Sequence, residues 1–206
     1  MKAVLISIQP KWCEPIASGK KTIEVRKTRP KVDEPFLCYI YATKPQKKFD
    51  FGLCLDDGKV GFLAKINYEH AERYNIEILS GKVIGEFLCH NISEFESELW
   101  DDETYERITR VVHTVDWEGY PETESYYVAE DGEDNYLCRQ SCLTWEELRS
   151  YVGQDFNTFF GWHISDLKIY DKPKELSEFS KYGFGEPVPL KRPPQSWMYV
   201  EDGICP

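Results

Sequence analysis

The sequence of 206 residues has no long apolar run and no segment that resembles a signal peptide. Its longest uncharged apolar stretches, such as residues 3–8, are far shorter than the ~18 residues that a membrane-spanning helix needs. The short apolar stretch at the N-terminus runs into Pro10 and Lys11 without a small-residue cleavage site. We therefore predict a cytoplasmic protein with no membrane partner.

Paired cysteines are also missing. The chain has seven cysteines, an odd number, and no CxxC pair; the nearest two, Cys138 and Cys142, are four residues apart. Scattered thiols of this kind are typical of a reduced cytosolic protein rather than of a disulfide framework. Cys138 and Cys142 could form a zinc site only together with a histidine such as His90 or His163, and cysteine is also a common small buried residue. The sequence therefore predicts no metal and no cofactor.

Positive charge is scarce overall, because 25 Lys and Arg residues stand against 36 Asp and Glu residues, which gives a net charge of −11. This balance argues against a general polyanion binder. The distribution is uneven: residues 1–48 hold 11 basic and 4 acidic residues, whereas residues 91–135 hold 2 basic and 15 acidic residues. Since electrostatic fields fade over about 8 Å at physiological salt, the basic segment can still attract phosphate. The alternative is that both segments are solvated surfaces.

The apolar pattern predicts five or six strand segments and a few short helices. The predicted strands are residues 2–9, 22–28, 36–43, 82–92, 158–170 and 196–201, with a hairpin in 51–68 around Asp57–Gly58. The predicted helices are residues 11–18, 101–113 and 144–152, the last with a capping box from Thr144 to Glu147. Residues 116–136 are predicted as loop or weak hairpin, and the proline-rich residues 187–194 as an extended loop.

These elements predict a mixed α+β fold, because strands and helices do not alternate as they do in a parallel βαβ fold. The expected architecture is a small β-barrel of five or six strands decorated with short helices, since closure removes exposed strand edges. The length predicts a single domain over residues 1–206. Residues 94–140 are predicted to be an acidic, partly helical insertion within that domain.

The most distinctive segment is IASGKKTIEVRK, residues 16–27. A glycine turn presents Lys20 and Lys21, and the following strand places Glu24 and Arg26 on one face. Two ammoniums and a guanidinium can hold an anionic ligand, while a carboxylate can accept from a base or act as a general base. The alternative is a surface hairpin with ion pairs worth only a few tenths of a kcal/mol.

Several segments together resemble the ASCH domain, in the version common in phage and prophage genes of low-GC Gram-positive bacteria. The segments are SIQP at 7–10, IASGKKTIEVRK at 16–27, YIYATK at 39–44, GKVIGEF at 81–87 and WHISDLKIYDKP at 162–173. The resemblance covers most of the chain, with residues 94–140 as an addition. It implies a PUA-like β-barrel that binds RNA or modified nucleobases in a cleft beside the barrel.

Some small bacterial ASCH proteins are amidohydrolases that deacylate N4-acetylcytidine, which gives an enzymatic alternative. Their motif reads G-x-K-T-I-T, and its catalytic lysine matches Lys21. The nucleophilic threonine of that motif falls on Glu24, so this sequence departs from the family at the nucleophile. The family's catalytic glutamate is not placed; Glu86, Glu146 and Glu147 are candidates. The missing threonine favours binding over this catalysis, with Lys21 and Glu24 as the catalytic candidates if the protein is an enzyme.

Aromatic and further basic residues complete the predicted binding site. Aromatic rings stack on unpaired bases, and exposed lysines contact phosphates. Trp12 and Trp162 lie in segments that resemble the family's cleft, although each is also typical of a buried core. The predicted ligand or nucleic-acid contacts are Trp12, Lys20, Lys21, Glu24, Arg26, Lys27, Lys44, Trp162 and His163.

Three interpretations of the acidic residues 94–135 stay open. The stretch is a solvated surface, a cover for the basic segment, or a surface that binds a protein partner. The predicted partners are therefore RNA or a modified nucleotide, and a protein that contacts residues 94–135.

Overall fold

The computed structural model describes residues 2–44, 52–56, 59–63, 73, 77–100, 105–116, 118–130, 135–153, 158–183 and 185–202. These residues form strands with three short α-helices and one 3-10 helix. The strands are β1 (Lys2–Ile8), β2 (Ile23–Arg26), β3 (Phe36–Ala42), β4 (Gly52–Asp56), β5 (Lys59–Leu63), β6 (Glu77–Ile78), β7 (Val83–Trp100), β8 (Tyr105–Val115), β9 (Pro121–Glu130), β10 (Thr158–Lys174) and β11 (Trp197–Glu201). The helices are α1 (Pro10–Ala17), α2 (Tyr136–Ser141) and α3 (Trp145–Val152), and the 3-10 helix is Leu176–Glu178.

The chain divides into two compact units. The first unit contains residues 1–20, 32–90 and 164–206, and the second contains residues 21–31 and 91–163. The long strands β7 and β10 contribute residues to both units.

The first unit is built on β1, whose residues 3–8 are all buried. β1 pairs with β11 in antiparallel orientation and with β3 in parallel orientation, and β3 pairs in turn with β7. A strand buried on both faces requires an apolar run instead of polar alternation, as AVLISI provides. β4, β5 and β6 form a separate three-stranded sheet in this unit.

The second unit surrounds a core contributed by its strands and helices. β2 pairs with β10, and β7 pairs with β8, which pairs with β9, all in antiparallel orientation. The buried core residues are Ile23, Val25, Phe95, Ile108, Leu137, Leu148, Val152 and Phe159. Phe95 and Phe159 stack with ring centroids 5.3 Å apart. Gly161 leaves room for this packing, because a Cβ there would lie 2.9 Å from the Phe95 ring.

Most of the predicted elements are confirmed. α1 begins at Pro10 and is followed by Gly19 with a φ of +73°, as the glycine stop predicts. α3 carries the predicted capping box between Thr144 and Glu147. The hairpin of β4 and β5 is confirmed by the pairing of Asp56 with Lys59, although its Asp57–Gly58 turn lies outside the described residues.

The predicted helix over residues 101–113 is wrong, because residues 105–115 form strand β8. Acids at the start and Arg110 near the end fit a helix dipole, but this segment is rich in β-branched residues. Ile108 and Val111 face the core, and β8 pairs with residues 94–100 of β7. Tertiary pairing therefore overrides the charge pattern. Among the described residues of the acidic stretch, helix is limited to its end, at α2.

The predicted closed barrel is also corrected. The strand order β11-β1-β3-β7-β10-β2, with β8 and β9 added to β7, is that of an open sheet in the part of the chain that the structure describes. Closure is not needed to protect β11, because residues 180–182 cover its outer edge. Lys181 bridges to Val200, and the Glu201 N–H donates to the Ser180 carbonyl at 3.0 Å.

No helix in the described ranges is both long enough and apolar enough to cross a membrane.

Candidate functional site

Three charged side chains at the start of the second unit form a buried charge cluster: Lys21, Glu24 and Arg26. Their exposed fractions are 2%, 6% and 7%. The Lys21 Nζ lies 3.3 Å from Glu24 Oε2, and the Arg26 Nη2 lies 3.0 Å from Glu24 Oε1. Glu24 therefore bridges two cations that little water can reach.

The backbone of α2 fixes the lysine of this cluster. Lys21 Nζ donates a 2.6 Å hydrogen bond to the carbonyl of Ser141, the last residue of α2. The N–H of Thr22 donates to the Gln140 carbonyl at 2.8 Å. A cation at the C-terminal end of a helix meets carbonyls that lack helical partners. The junction between Lys21 and β2 is thus held against the end of α2.

Glu24 is the carboxylate that both cations of the cluster contact. Removing one partner of a buried ion pair leaves an uncompensated charge, which is strongly unfavourable. Glu24 is therefore the residue on which the cluster depends.

Tyr151, at the end of α3, lies against the cluster and reaches the surface. The Arg26 guanidinium and the Lys27 backbone N–H both donate to its hydroxyl. Burial raises the pKa of Tyr151, the Arg26 charge lowers it and the Glu24 charge raises it, with a net upward shift. The hydroxyl therefore stays protonated at neutral pH.

The exposed part of this region consists of Tyr151 and Lys27, which we call the surface pair. Tyr151 is 39% exposed, and Lys27 is exposed. The Lys27 Nζ lies 5.6 Å from the centroid of the Tyr151 ring, within the range of a cation–π contact. An aromatic ring and an ammonium are thus available together at the surface of the second unit.

Six of the predicted contact residues belong to the second unit. Lys21, Glu24, Arg26 and Lys27 are described above, and Trp162 and His163 lie on β10, which pairs with β2. Trp162 is fully buried and pairs in register with Glu24. The His163 Nε2 lies 2.9 Å from the Ser93 Oγ, a hydrogen bond.

The other three predicted contact residues, Trp12, Lys20 and Lys44, belong to the first unit. Trp12 is half-buried, and the Lys11 Nζ lies 4.2 Å from its ring centroid. Lys20 and Lys44 are exposed.

The three candidate glutamates from the family resemblance have different surroundings. Glu86 accepts a 2.5 Å hydrogen bond from the Tyr170 hydroxyl and lies 3.7 Å from the Lys168 Nζ. Burial, and then the Glu86 hydrogen bond, raise the pKa of Tyr170. Glu147 is used by the capping box at the start of α3, and Glu146 is exposed. Glu86 is thus part of a partly buried hydrogen-bonded pair with Tyr170.

Sequence reasoning missed two contributors to the site. The Ser141 carbonyl is a backbone group 120 residues from Lys21, and no sequence pattern identifies such a contact. The sequence does predict the helix that carries Tyr151, because the capping box at Thr144 indicates a helix that ends near this residue. Neither its contact with Arg26 nor its exposure follows from that pattern.

Among the residues that the structure describes, no group of three His, Cys, Asp or Glu side chains is placed to hold a metal ion. Cys138 Sγ accepts a hydrogen bond from Asn135 Nδ2 at 3.3 Å, and Cys142 Sγ donates to the Arg139 carbonyl at 3.8 Å.

Comparison with known proteins identifies the family. The profile of the ASCH domain matches residues 6–147, more than half of the chain, so the chain belongs to the ASCH family. ASCH domains have a PUA-like fold and generally bind RNA.

Solved structures with similarity to this chain come from Zymomonas mobilis. An ASCH protein of that organism has 17% identity and a TM-score of 0.46 over 97% of this chain and 87% of that one. A serine-to-alanine mutant of it has 18% identity and a TM-score of 0.49, covering 97% and 88%. A tyrosine-to-phenylalanine mutant has 18% identity and a TM-score of 0.45, covering 98% and 91%. A search of curated proteins finds no match.

Proposed function

We propose that this protein binds single-stranded RNA, or a modified nucleotide, at the surface pair Lys27 and Tyr151. The observation that carries the proposal is the buried charge cluster, which Arg26 joins to an exposed aromatic ring that has an exposed lysine beside it. Membership of a family whose domains generally bind RNA supports it.

Burial decides which residues touch the ligand. Lys21 and Arg26 are too enclosed to meet a phosphate directly, and both contact Glu24. Lys27 is exposed and can contact a phosphate as a point charge. The Tyr151 ring offers a face on which an unpaired base can stack, a contact worth about 1–3 kcal/mol per base.

The buried charge cluster then has a supporting role. Glu24 orients the Arg26 guanidinium, and Arg26 in turn holds the Tyr151 hydroxyl. A platform that is already fixed loses less conformational entropy when it binds.

Fluorescence anisotropy with labelled single-stranded RNA, duplex RNA and single-stranded DNA tests this site. We expect Tyr151→Ala to weaken binding to single-stranded RNA by about 5–150-fold, the equivalent of 1–3 kcal/mol. Lys27→Ala is expected to weaken binding across sequences and to reduce the slope of log K against log salt by about 1. A comparison of N4-acetylcytidine and cytidine within the same oligonucleotide tests for recognition of a modified base.

Lys31→Ala is the matched control, because it removes one exposed lysine from the same unit. It should keep the affinity of the wild-type protein apart from a small electrostatic change. Wild-type affinity in both Tyr151→Ala and Lys27→Ala, with clear RNA binding by the unmodified protein, would exclude the surface pair as the contact.

The amidohydrolase alternative stays a prediction from the family resemblance. The structure places Lys21 and Glu24 at ion-pair distance, but Lys21 also donates to Ser141 and Glu24 also contacts Arg26. Chromatography of N4-acetylcytidine incubated with the protein measures this activity. A cytoplasmic location and a phage or prophage origin likewise stay predictions.

A second proposed role concerns the hairpin of β8 and β9, residues 105–130, which we call the acidic hairpin. Between Arg110 and Arg139 the sequence has eight Asp and Glu residues and no Lys or Arg. Tyr120, Tyr126 and Tyr127 are 65%, 52% and 52% exposed. β9 pairs with β8 and with no other strand among the described residues, which leaves its outer edge without a strand partner in that part of the chain. An open edge with exposed aromatic rings and negative charge suits a basic, extended segment of a protein partner.

Isothermal titration calorimetry with an extended lysine-rich peptide tests this role. Tyr126→Ala/Tyr127→Ala is expected to weaken peptide binding by about tenfold, because it removes the aromatic contacts and keeps the charge. Tyr182→Ala, which removes a similarly exposed tyrosine from the first unit, serves as the control. If Tyr126→Ala/Tyr127→Ala and Tyr182→Ala bind the peptide with equal affinity, binding depends only on charge, and a docking surface on β9 is excluded.

A further inference from the structure

The first unit carries three lysines on one face of the end of β10, a feature that the proposed function does not use. They are Lys168, Lys172 and Lys174, which we call the lysine row. Side chains alternate between the two faces of a strand, so residues an even number of positions apart share a face. The Nζ atoms of Lys168 and Lys174 lie 6.0 Å and 4.3 Å from the centroid of the Tyr170 ring, which supports the shared face.

Two members of the lysine row, Lys172 and Lys174, make no ion pair among the residues that the structure describes. Lys168 differs from them, because its Nζ lies 3.7 Å from the Oε1 of Glu86. The other carboxylate oxygen of Glu86 accepts a hydrogen bond from the Tyr170 hydroxyl. The charge that a ligand can use is therefore mainly that of Lys172 and Lys174.

The acidic residues next to the lysine row in the sequence do not neutralise it. Asp171 is one position from Lys172, so alternation places it on the opposite face of β10. Glu175 follows Lys174, and its Oε1 lies 3.5 Å from the Nζ of Lys82. One acid is thus on the other face, and the second is paired with a lysine outside the row.

The lysine row offers ammonium groups to a partner but no aromatic surface. The Lys168 side chain is 69% exposed, Lys172 is exposed and Lys174 is half-buried. Tyr170 is only 9% exposed, and a ring this enclosed gives an unpaired base no face on which to stack. A partner therefore meets the positive charges of the row.

The arrangement of these charges suits a polymer with repeated negative charge. A single oxyanion is best held by donors that converge on it, whereas the lysines of the row follow one another along an extended strand. Lysine contacts phosphate as a point charge, and such contacts position a nucleic acid without reading its sequence. An acidic peptide is the other polymer of this kind, and membership of a family that generally binds RNA favours the nucleic acid.

We propose that the lysine row binds the phosphate backbone of single-stranded RNA. This inference rests on the proposed function, since it requires that the protein binds RNA, and it adds a contact in the first unit. Lys172 and Lys174 each contact a phosphate, and Lys168 contributes less because Glu86 shares its charge. The row thereby adds affinity that depends on salt and not on sequence.

The salt dependence of RNA binding tests the lysine row. Fluorescence anisotropy with labelled oligouridine is measured over a series of salt concentrations for the wild-type protein and for Lys172→Gln/Lys174→Gln. We expect the slope of log K against log salt to fall by about 1.4 in this variant, because each phosphate contact with a single strand contributes about 0.7. Circular dichroism verifies that the variant is folded.

Two matched variants make this result specific to the lysine row. Lys191→Gln/Arg192→Gln removes the same charge from two other exposed residues of the first unit and should keep the wild-type slope. Lys172→Arg/Lys174→Arg keeps both positive charges and should also keep the slope, which separates the charge of these residues from their packing.

Tyr151→Ala distinguishes failure of the lysine row from failure of the surface pair. A reduced slope in Lys172→Gln/Lys174→Gln supports the row whether Tyr151→Ala weakens binding or not, and wild-type affinity in Tyr151→Ala counts only against the surface pair. An unchanged slope in the double lysine variant, with weaker binding in Tyr151→Ala, would exclude the row and leave the surface pair in place.

Three further results would overturn the proposal. An equal fall of the slope in Lys191→Gln/Arg192→Gln would mean that RNA responds to overall charge. Polyglutamate that displaces labelled oligouridine as well as unlabelled oligouridine does would favour an acidic peptide as the partner of the row. The absence of RNA binding by the wild-type protein would exclude both the row and the surface pair.

Discussion

Replacement of Glu24 by alanine is expected to lower the free energy of unfolding by about 3–5 kcal/mol. The substitution leaves Lys21 and Arg26 buried side by side without their carboxylate. Two like charges with little access to water repel each other, and the carboxylate that both of them contact is lost. Urea denaturation followed by circular dichroism measures the change.

Two comparisons make this result specific to the buried charge cluster. Glu146→Ala, which removes an exposed carboxylate from the same unit, should change stability by no more than about 0.5 kcal/mol. The triple variant Lys21→Met/Glu24→Leu/Arg26→Met should recover most of the loss, because it removes the charges together. A loss below about 1 kcal/mol in Glu24→Ala would mean that water reaches the cluster.

Replacement of Trp162 by alanine is expected to lower the free energy of unfolding by a similar amount, about 3–5 kcal/mol. Trp162 is fully buried on β10, and its loss opens a large cavity in the second unit. Differential scanning calorimetry or urea denaturation measures this change.

A second substitution of Trp162 distinguishes the predicted stacking contact with RNA from a purely structural role in the core. Trp162→Phe keeps an aromatic ring in the core and should keep the RNA affinity of the wild-type protein within about twofold, because the ring has no exposed face. A loss of RNA binding in folded Trp162→Phe would contradict this and would favour the stacking contact predicted from the sequence.

Much of the fold follows from local sequence patterns. The apolar run before Pro10 predicts β1, and the Thr144 capping box predicts α3. The secondary structure of residues 101–113 could not be predicted correctly, because their charges favour a helix and their β-branched residues favour a strand. The pairing of β8 with β7 determines that the segment is a strand. The open sheet could not be predicted either, since it depends on how residues 180–182 cover the edge of β11.

The residue types of the buried charge cluster also follow from sequence, but its environment does not. The alternation in TIEVR correctly predicts that Glu24 and Arg26 share a strand, and the alternative of a surface hairpin predicts ion pairs. All four residues of β2 are nevertheless buried, because α2 and β10 pack around them. We therefore propose that Lys21 and Arg26 do not contact phosphate directly, and that Arg26 holds Tyr151, a residue that the motif does not contain.

Photo-crosslinking tests the central claim, RNA binding at the surface pair, most directly. Single-stranded RNA that contains 4-thiouridine is irradiated with the wild-type protein, and the crosslinked peptides are identified by mass spectrometry. We predict crosslinks in the peptides that carry Tyr151 and Lys27, with their loss in Tyr151→Ala and their retention in Lys31→Ala. Specific crosslinks confined to residues of the first unit, such as the peptides of Trp12 or Lys44, would contradict the account.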